Sequence, residues 1–288
     1  MKKVLIPITI TISILIIFLI LIILGVFKSY TKYQDIKYGG NERNTLNLYI
    51  PKNYKGNGLI LYIHGGAWIT GDKEVYDKEC IKYAKIGYAT ATINYRYTSE
   101  DVTCMDILDD IDKAVSVIKE TSANLGFDLQ KMLLTGHSAG AHLSLLYAYK
   151  YQYSAKIKPV AVASFAGPTD LLDETYYQNI PDIYKLFSNM IGVNFTKDTI
   201  DLVKDKLLEI SPISYVNSDT IPTIIAQGEL DEIVNVNNGL ELEKLLKDNN
   251  ITYYAYFYPN STHALENDKE INNEVKDKFN EFINTYLK

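Results

Sequence analysis

Two hydrophobic patterns divide the chain. Residues 4–27 carry no charge and are mostly Ile and Leu, interrupted only by Pro7, Thr9, Thr11, Ser13 and Gly25. From about Tyr30 onward, short β-rich runs alternate with segments whose apolar residues recur every three or four positions. That alternation is the sequence form of a mostly parallel sheet with helices on both faces. Strands are predicted over residues 46–50, 59–63, 89–94, 132–135, 159–165, 223–226 and 253–257, and helices over 75–86, 105–119, 141–151, 237–247 and 270–287. Ile107, Leu108, Ile111, Ala114, Val115 and Ile118 show the helical spacing clearly, and Gly87 is a natural residue to follow a helix end. Between Asp170 and Ser211 the alternation lapses. Structureless connections beyond about 15 residues are uncommon, so residues 171–210 are expected to form a small cap of short helices over the carboxyl edge of the sheet.

The first apolar segment is long enough to cross a hydrocarbon core, which needs about 20 residues as a helix. A cleaved signal peptide also begins with positive charge, here Lys2 and Lys3 in the flank 1–3, but its apolar region usually runs only about 7 to 15 residues and ends in small residues. Phe27 stands where a small residue would be wanted. The expectation is one N-terminal transmembrane helix over 4–27 followed by a single folded domain over 28–288, with secretion as the alternative if the segment is cleaved. Lys28, Lys32 and Lys37 nearly balance Lys2 and Lys3, so charge bias leaves the orientation open. The likeness to secretory signals favours an extracytoplasmic domain.

Composition adds exclusions. A chain of 288 residues suits one α/β domain plus an appendage. The formal charge of −6 and the lack of a Lys/Arg cluster argue against a nucleic-acid partner. Cys80 and Cys104 form no CxxC and no Cys/His group, so no metal signature is present; they are either a disulfide pair or two buried thiols. The 24 tyrosines are scattered and read as core and surface filling rather than a binding platform. Asp106, Asp109, Asp110 and Asp112 have the spacing of a solvated helix face.

The chemistry is concentrated in a few short motifs. Gly136-His137-Ser138-Ala139-Gly140 is a G-x-S-x-G sequence between a predicted strand and a predicted helix, a sharp turn that presents the serine hydroxyl above the sheet. Free N–H groups and the positive dipole end of the following helix face the place where an oxyanion would form. A serine needs a base. Of the four histidines, His64 belongs to a glycine turn before the serine, His137 points elsewhere from its place beside Ser138, and His142 packs behind the turn on the helix. His263, in the loop after the last strand, completes the order serine, acid, histidine. Asp231, after the strand 223–226, is the favoured acid, with Asp170, Glu229 and Glu232 as rivals. His64-Gly65-Gly66-Ala67-Trp68 follows a strand, and its backbone amides together with that of Ala139 can form an oxyanion hole. Trp68 reads as a packing residue for that loop, and Arg96 as half of a structural ion pair.

The set HGGAW (64–68), NYRY (94–97), GHSAG (136–140), GPTDL (167–171), GELDEIV (228–234) and the late His263 resembles the esterase branch of the α/β-hydrolases, which includes hormone-sensitive-lipase-like carboxylesterases, acetyl-xylan and feruloyl esterases, and kynurenine formamidases. The resemblance runs from about Tyr33 to the C-terminus. It implies the α/β-hydrolase fold, a triad of Ser138, Asp231 and His263, and an oxyanion hole from backbone N–H groups of Gly65, Gly66, Ala67 and Ala139. One departure is Ala67, where lipase-like members commonly carry a third glycine; only the backbone is used there. The expected protein is a membrane-anchored serine hydrolase acting on small-molecule carboxylic esters without a cofactor. Amide hydrolysis by the same machinery is the nearest alternative, and a non-catalytic binding module, which would usually lack a triad member, is the alternative from another class.

Overall fold

The computed structural model describes Ile16, residues 29–56 and residues 58–288. Apart from Ile16, the apolar segment 4–27 lies outside the described residues, and no helix among the described residues is long and apolar enough to cross a membrane. Eight strands form one sheet: β1 (Tyr30–Lys37), β2 (Thr45–Pro51), β3 (Leu59–Ile63), β4 (Ala89–Ile93), β5 (Lys131–His137), β6 (Lys158–Phe165), β7 (Thr223–Gly228) and β8 (Tyr253–Tyr258). Their order is β1-β2-β4-β3-β5-β6-β7-β8. β1 and β2 are antiparallel to their neighbours, and every pairing from β4 through β8 is parallel.

β1 is a strand that periodicity did not suggest. Its sequence YTKYQDIK is largely polar and half-exposed, and its pairing with β2 is interrupted between Tyr33 and Ile36. An edge strand has only one neighbour and a wet face, so it needs few apolar residues, and lysines with an irregular register discourage further pairing.

The interior strands divide their side chains between two cores, as a two-residue period requires. Leu59, Leu61 and Ile63 face a core shared with α2 (Cys104–Asn124), α3 (Ala139–Lys150) and α7 (Asn237–Asp248). Ile60 and Tyr62 face the other core, filled by α1 (Asp77–Lys85) and α8 (Lys269–Tyr286). Cys80 and Cys104 are both free and buried, one in each core on opposite faces of the sheet. α1 is preceded by a 3-10 turn over Lys73–Tyr76, so the helical spacing from residue 75 spans two geometries. α2 starts on a capping box in which Thr103 and Asp106 satisfy each other's backbone amides.

The segment between β6 and β7 holds α4 (Glu174–Asn179), α5 (Ile183–Ile191) and α6 (Lys204–Glu209) with a 3-10 turn over Lys197–Leu202. Tyr176, Ile183, Phe187 and Met190 bury into the main core, and Phe187 meets the Trp68 ring edge-on at 6.4 Å, which sets this cap against the turn after β3. Its two ends are tied together, because the Ser211 hydroxyl accepts the Leu171 amide at 2.9 Å and donates to the Leu207 carbonyl at 2.8 Å.

The reading of the α2 aspartates as a solvated face is corrected at two positions, Asp112, which is half-buried and accepts the Tyr147 hydroxyl at 2.7 Å, and Asp110. Asp110 is 1% exposed; its carboxylate accepts the backbone N–H of Arg96 at 3.0 Å and the guanidinium Nε–H at 2.9 Å. Arg96 thus pins the loop after β4 to α2, a pairing that spacing along one helix cannot reveal. Asp109 pairs instead with Lys113 one turn away at 2.5 Å, both well exposed. Asp110→Ala should lower the unfolding free energy by about 2–3 kcal/mol, since it strands a partly buried guanidinium and an amide. Asp109→Ala should change it by less than about 0.5 kcal/mol. Denaturant titration of the two variants measures the contrast, and equal effects would contradict this account.

Candidate active site

The serine sits where β5 turns into α3. Ser138 has φ 57° and ψ −127°, a conformation that side-chain-bearing residues adopt only under constraint. Its N–H donates to the Phe165 carbonyl at 2.9 Å. The glycines two residues either side supply the constraint. A Cβ on Gly136 would lie 2.5 Å from the Ile63 carbonyl oxygen, and one on Gly140 would collide with the carbonyls of Ile63 and His64. The elbow is therefore packed backbone to backbone on the end of β3. Gly65 belongs to the same contact, since a Cβ there would fall 2.6 Å from the His137 carbonyl and 3.4 Å from Cβ of Ser138. Ala139, the first residue of α3, has an N–H that the helix itself cannot use.

The glycine turn after β3 carries three successive positive φ values, 115° at Gly66, 48° at Ala67 and 61° at Trp68. For the two non-glycine residues this costs roughly 1–2 kcal/mol each. Its internal hydrogen bonds, from the amides of Ile69 and Thr70, both end on the Gly66 carbonyl and do not involve the amides of Gly66 or Ala67. Trp68 holds the turn down. The residue is 5% exposed, and its ring lies edge-on to His142 at 5.2 Å and donates its indole N–H to His142 Nδ1 at 3.1 Å.

Hydrogen bonding assigns the histidine tautomers. An indole can only donate and a carbonyl can only accept, so His142 accepts at Nδ1 and donates from Nε2 to the Ile210 carbonyl at 2.7 Å. His64 is the reverse: Nδ1–H donates to the Gly65 carbonyl at 2.7 Å, while Nε2 accepts from Arg43 at 3.3 Å, and the ring stacks on Tyr95 at 4.3 Å. Burial pushes both imidazoles down to about 4. His137 donates from Nε2 to the carbonyl of His263 at 2.7 Å and is likewise held below the ordinary histidine value by burial.

His263, in the loop after β8, meets Asp231, in the loop after β7. Its Nδ1–H donates to Asp231 Oδ2 at 2.7 Å, which leaves Nε2 as the nitrogen with a free lone pair. Asp231 is fully used. Oδ1 accepts the amides of Ile233 and Val234, both at 2.9 Å, and Oδ2 also accepts the Gln227 amide at 3.2 Å. The rival acids are placed otherwise. Asp170 caps the Leu172 amide at 2.9 Å, and Glu229 and Glu232 are exposed. The loop around His263 is shaped by Ser261, whose hydroxyl donates to Asp268 at 2.6 Å and accepts the Asn267 amide at 3.0 Å.

The residues singled out in the sequence thus lie at one edge of the sheet: Gly65 against the Ser138 elbow, His263 on Asp231, and His137 bridging from Ser138 to the His263 loop. Three supporting residues were not legible beforehand. Arg43 donates to the carbonyls of Tyr95 at 2.9 Å and Gly71 at 3.2 Å and lies over the Tyr97 ring at 3.7 Å, yet it sits in a loop without a motif. Gln227, next to last in β7, ties Asp231 to the Val234 carbonyl at 2.7 Å. The His137 contact joins residues 126 positions apart. Among the described residues no group of three or more His, Cys, Asp or Glu is placed to hold a metal ion.

A protein-family model, BD-FAE, matches residues 46–246. The probable carboxylic ester hydrolase LipM of Mycobacterium tuberculosis is 27% identical over 232 residues, covering 75% of this chain and 52% of that protein. The acylamino-acid-releasing enzyme of Mus musculus is 29% identical over 221 residues, covering 70% of this chain and 27% of that protein. The chain spans about half the length, or less, of these relatives. Among solved structures, a truncated carbohydrate esterase from gut microbiota superposes with a TM-score of 0.73 at 20% identity, over 89% of this chain and 98% of the other, and this likeness establishes the α/β-hydrolase fold.

Burial of the two neutral histidines makes folding sensitive to acid. Unfolded, His64 and His142 titrate near 6.5; folded, they titrate at about 4. Between those values the unfolded chain binds more protons, so their contribution is fully present above pH 6.5 and is lost as pH falls through about 4. Each is worth on the order of 3 kcal/mol over that span. His142→Asn, which can keep an acceptor and a donor but cannot titrate, should show a smaller fall in Tm between pH 6.5 and 4 than the parent. Parallel Tm curves would overturn the assignment.

Proposed function

This chain belongs to the BD-FAE family, an esterase family of the α/β-hydrolase fold, and from that premise we propose that it hydrolyses carboxylic esters through an acyl-enzyme on Ser138. The observation that carries the reading is the Asp231 to His263 hydrogen bond of 2.7 Å, set beside a strained serine elbow that His137 joins to the same loop. Asp231 keeps the proton of His263 on Nδ1, so Nε2 is the base. Nε2 takes the Ser138 proton as the serine oxygen bonds to the ester carbonyl carbon. The carbonyl oxygen gains the negative charge and is met by backbone N–H groups of the Gly65–Ala67 turn and of Ala139. The tetrahedral adduct collapses, the bond to the leaving oxygen breaks, and His263 returns the proton to the departing alcohol. Water, deprotonated by His263, then attacks the acyl carbon, the bond to the Ser138 oxygen breaks, and His263 returns the proton to Ser138 as the acid leaves.

Ser138→Ala should abolish hydrolysis of a short p-nitrophenyl ester and labelling by a fluorophosphonate. Asp231→Asn should lower kcat by about 10²–10⁴-fold, because the tautomer is no longer held. Retained labelling in the Ser138→Ala protein would refute the nucleophile. One relative is named as an acylamino-acid-releasing enzyme, which favours peptide and N-formyl amides as the second substrate class. A panel of acyl esters, acetylated carbohydrates and such amides ranks them by kcat/KM.

The uncharged segment 4–27 anchors the protein in a membrane with the hydrolase domain on the extracytoplasmic side; its length and lack of charge support the anchor, and its likeness to a secretory signal supports the side. The full chain should stay in the membrane pellet through an alkaline carbonate wash, and a chain beginning at residue 29 should not. Release of the full chain by carbonate would refute the anchor.

A further inference from the structure

We propose that His137 is a positioning residue that sets where His263 stands relative to Ser138, a role that rests on reading Ser138, His263 and Asp231 as the reacting set. His263 is gripped at two points. Asp231 holds Nδ1 at 2.7 Å and so governs the rotation of the ring, while His137 Nε2–H holds the backbone carbonyl at 2.7 Å and so governs where the residue itself sits. The two imidazoles lie 4.8 Å apart between centroids, tilted by 58°.

The anchor end of this strut is rigid. His137 is the last residue of β5, an interior strand paired on both sides with β3 and β6, and it is bonded directly to Ser138. The other end is a loop, shaped locally by Ser261, Asn267 and Asp268. One hydrogen bond across 126 residues therefore relates the serine to the histidine.

Further along, the loop is held by Leu265, which is buried in the core and whose carbonyl accepts the Asn272 side-chain amide at 3.0 Å. On the α1 and α8 side of the sheet lies a cavity of about 340 Å³ bordered by His137, Phe165, Ala264, Leu265, Val275 and Phe279. Ala264 and Leu265 border this space, so between these anchors the backbone at His263 has room to shift once the strut is removed. A displacement of about 1 Å at a reacting group can cost on the order of 100-fold in rate. Charge is consistent with the role as well. Burial keeps His137 neutral near pH 7, and a second cation so close to His263 would oppose the imidazolium formed in the reaction.

The test separates the donor from the bulk. In His137→Gln the side-chain amide can occupy the place of Nε2–H, whereas His137→Leu and His137→Phe fill space without a donor. The readouts are kcat and KM on a short p-nitrophenyl ester, the second-order rate of fluorophosphonate labelling at Ser138, and Tm. Leu and Phe should each lower kcat and the labelling rate by about 10–100-fold with KM within about threefold, while Gln stays within about threefold of the parent in all three. Rates are taken per folded molecule, and Phe serves if Leu does not fold. Labelling as fast in Leu or Phe as in the parent would overturn the proposal, as would a Gln variant as slow as Leu. If the parent itself is not labelled at Ser138, the reading of the triad fails instead, which keeps the two failures distinct.

Discussion

The contact on which the rest of the site depends is one between backbones, with no room for a side chain. Gly136 and Gly140 lie against the carbonyl of Ile63, and Gly65 lies against the carbonyl of His137. The sheet register pairs Ile63 with Gly136, so β3 and β5 end level with each other and their following loops leave the sheet side by side. A Cβ at any of these glycines would part the turn carrying the amides of Gly66 and Ala67 from the turn carrying Ser138.

That approach forces unfavourable backbone angles, and buried polar contacts hold them. Ser138, Ala67 and Trp68 all have positive φ. The Trp68 indole is tied to His142, and His142 to the Ile210 carbonyl, next to the Ser211 hydroxyl that fastens the start of the cap. The strained turn, the helix behind the serine and the exit of the cap thus form one hydrogen-bonded chain through the core. Such a chain is stabilising only when every member is satisfied. The neutral tautomer of His142 satisfies it, because the ring presents one acceptor and one donor to partners of opposite kind.

Histidine does three different jobs in this small region. His64 and His142 are buried spacers with fixed tautomers, and His137 reaches from the elbow to another loop. Only His263 presents a nitrogen with a free lone pair while its other nitrogen is held by a carboxylate. The residue type is shared; the partners distinguish the roles.

How much of this was legible in the sequence follows the same division. Local periodicity marked the interior strands and the longer helices, because burial on two sheet faces leaves an unbroken apolar run such as 59–63 and packing on one face leaves the spacing of Ile107, Leu108 and Ile111. Turn chemistry marked the elbow, since only glycine tolerates such close approach. Other features were settled by neighbours distant in the chain. β1 needed little hydrophobicity because it is an edge, Asp110 was drawn inward by Arg96, and Arg43 and Gln227 gained their roles only from the loops beside them. By itself, the sequence determined which short segments bury their apolar residues and where a sharp glycine turn must form, since these depend on residues a few positions apart. Which carbonyl His137 reaches was decided by the tertiary structure, because strand order brings together residues such as 137 and 263 that no local pattern relates.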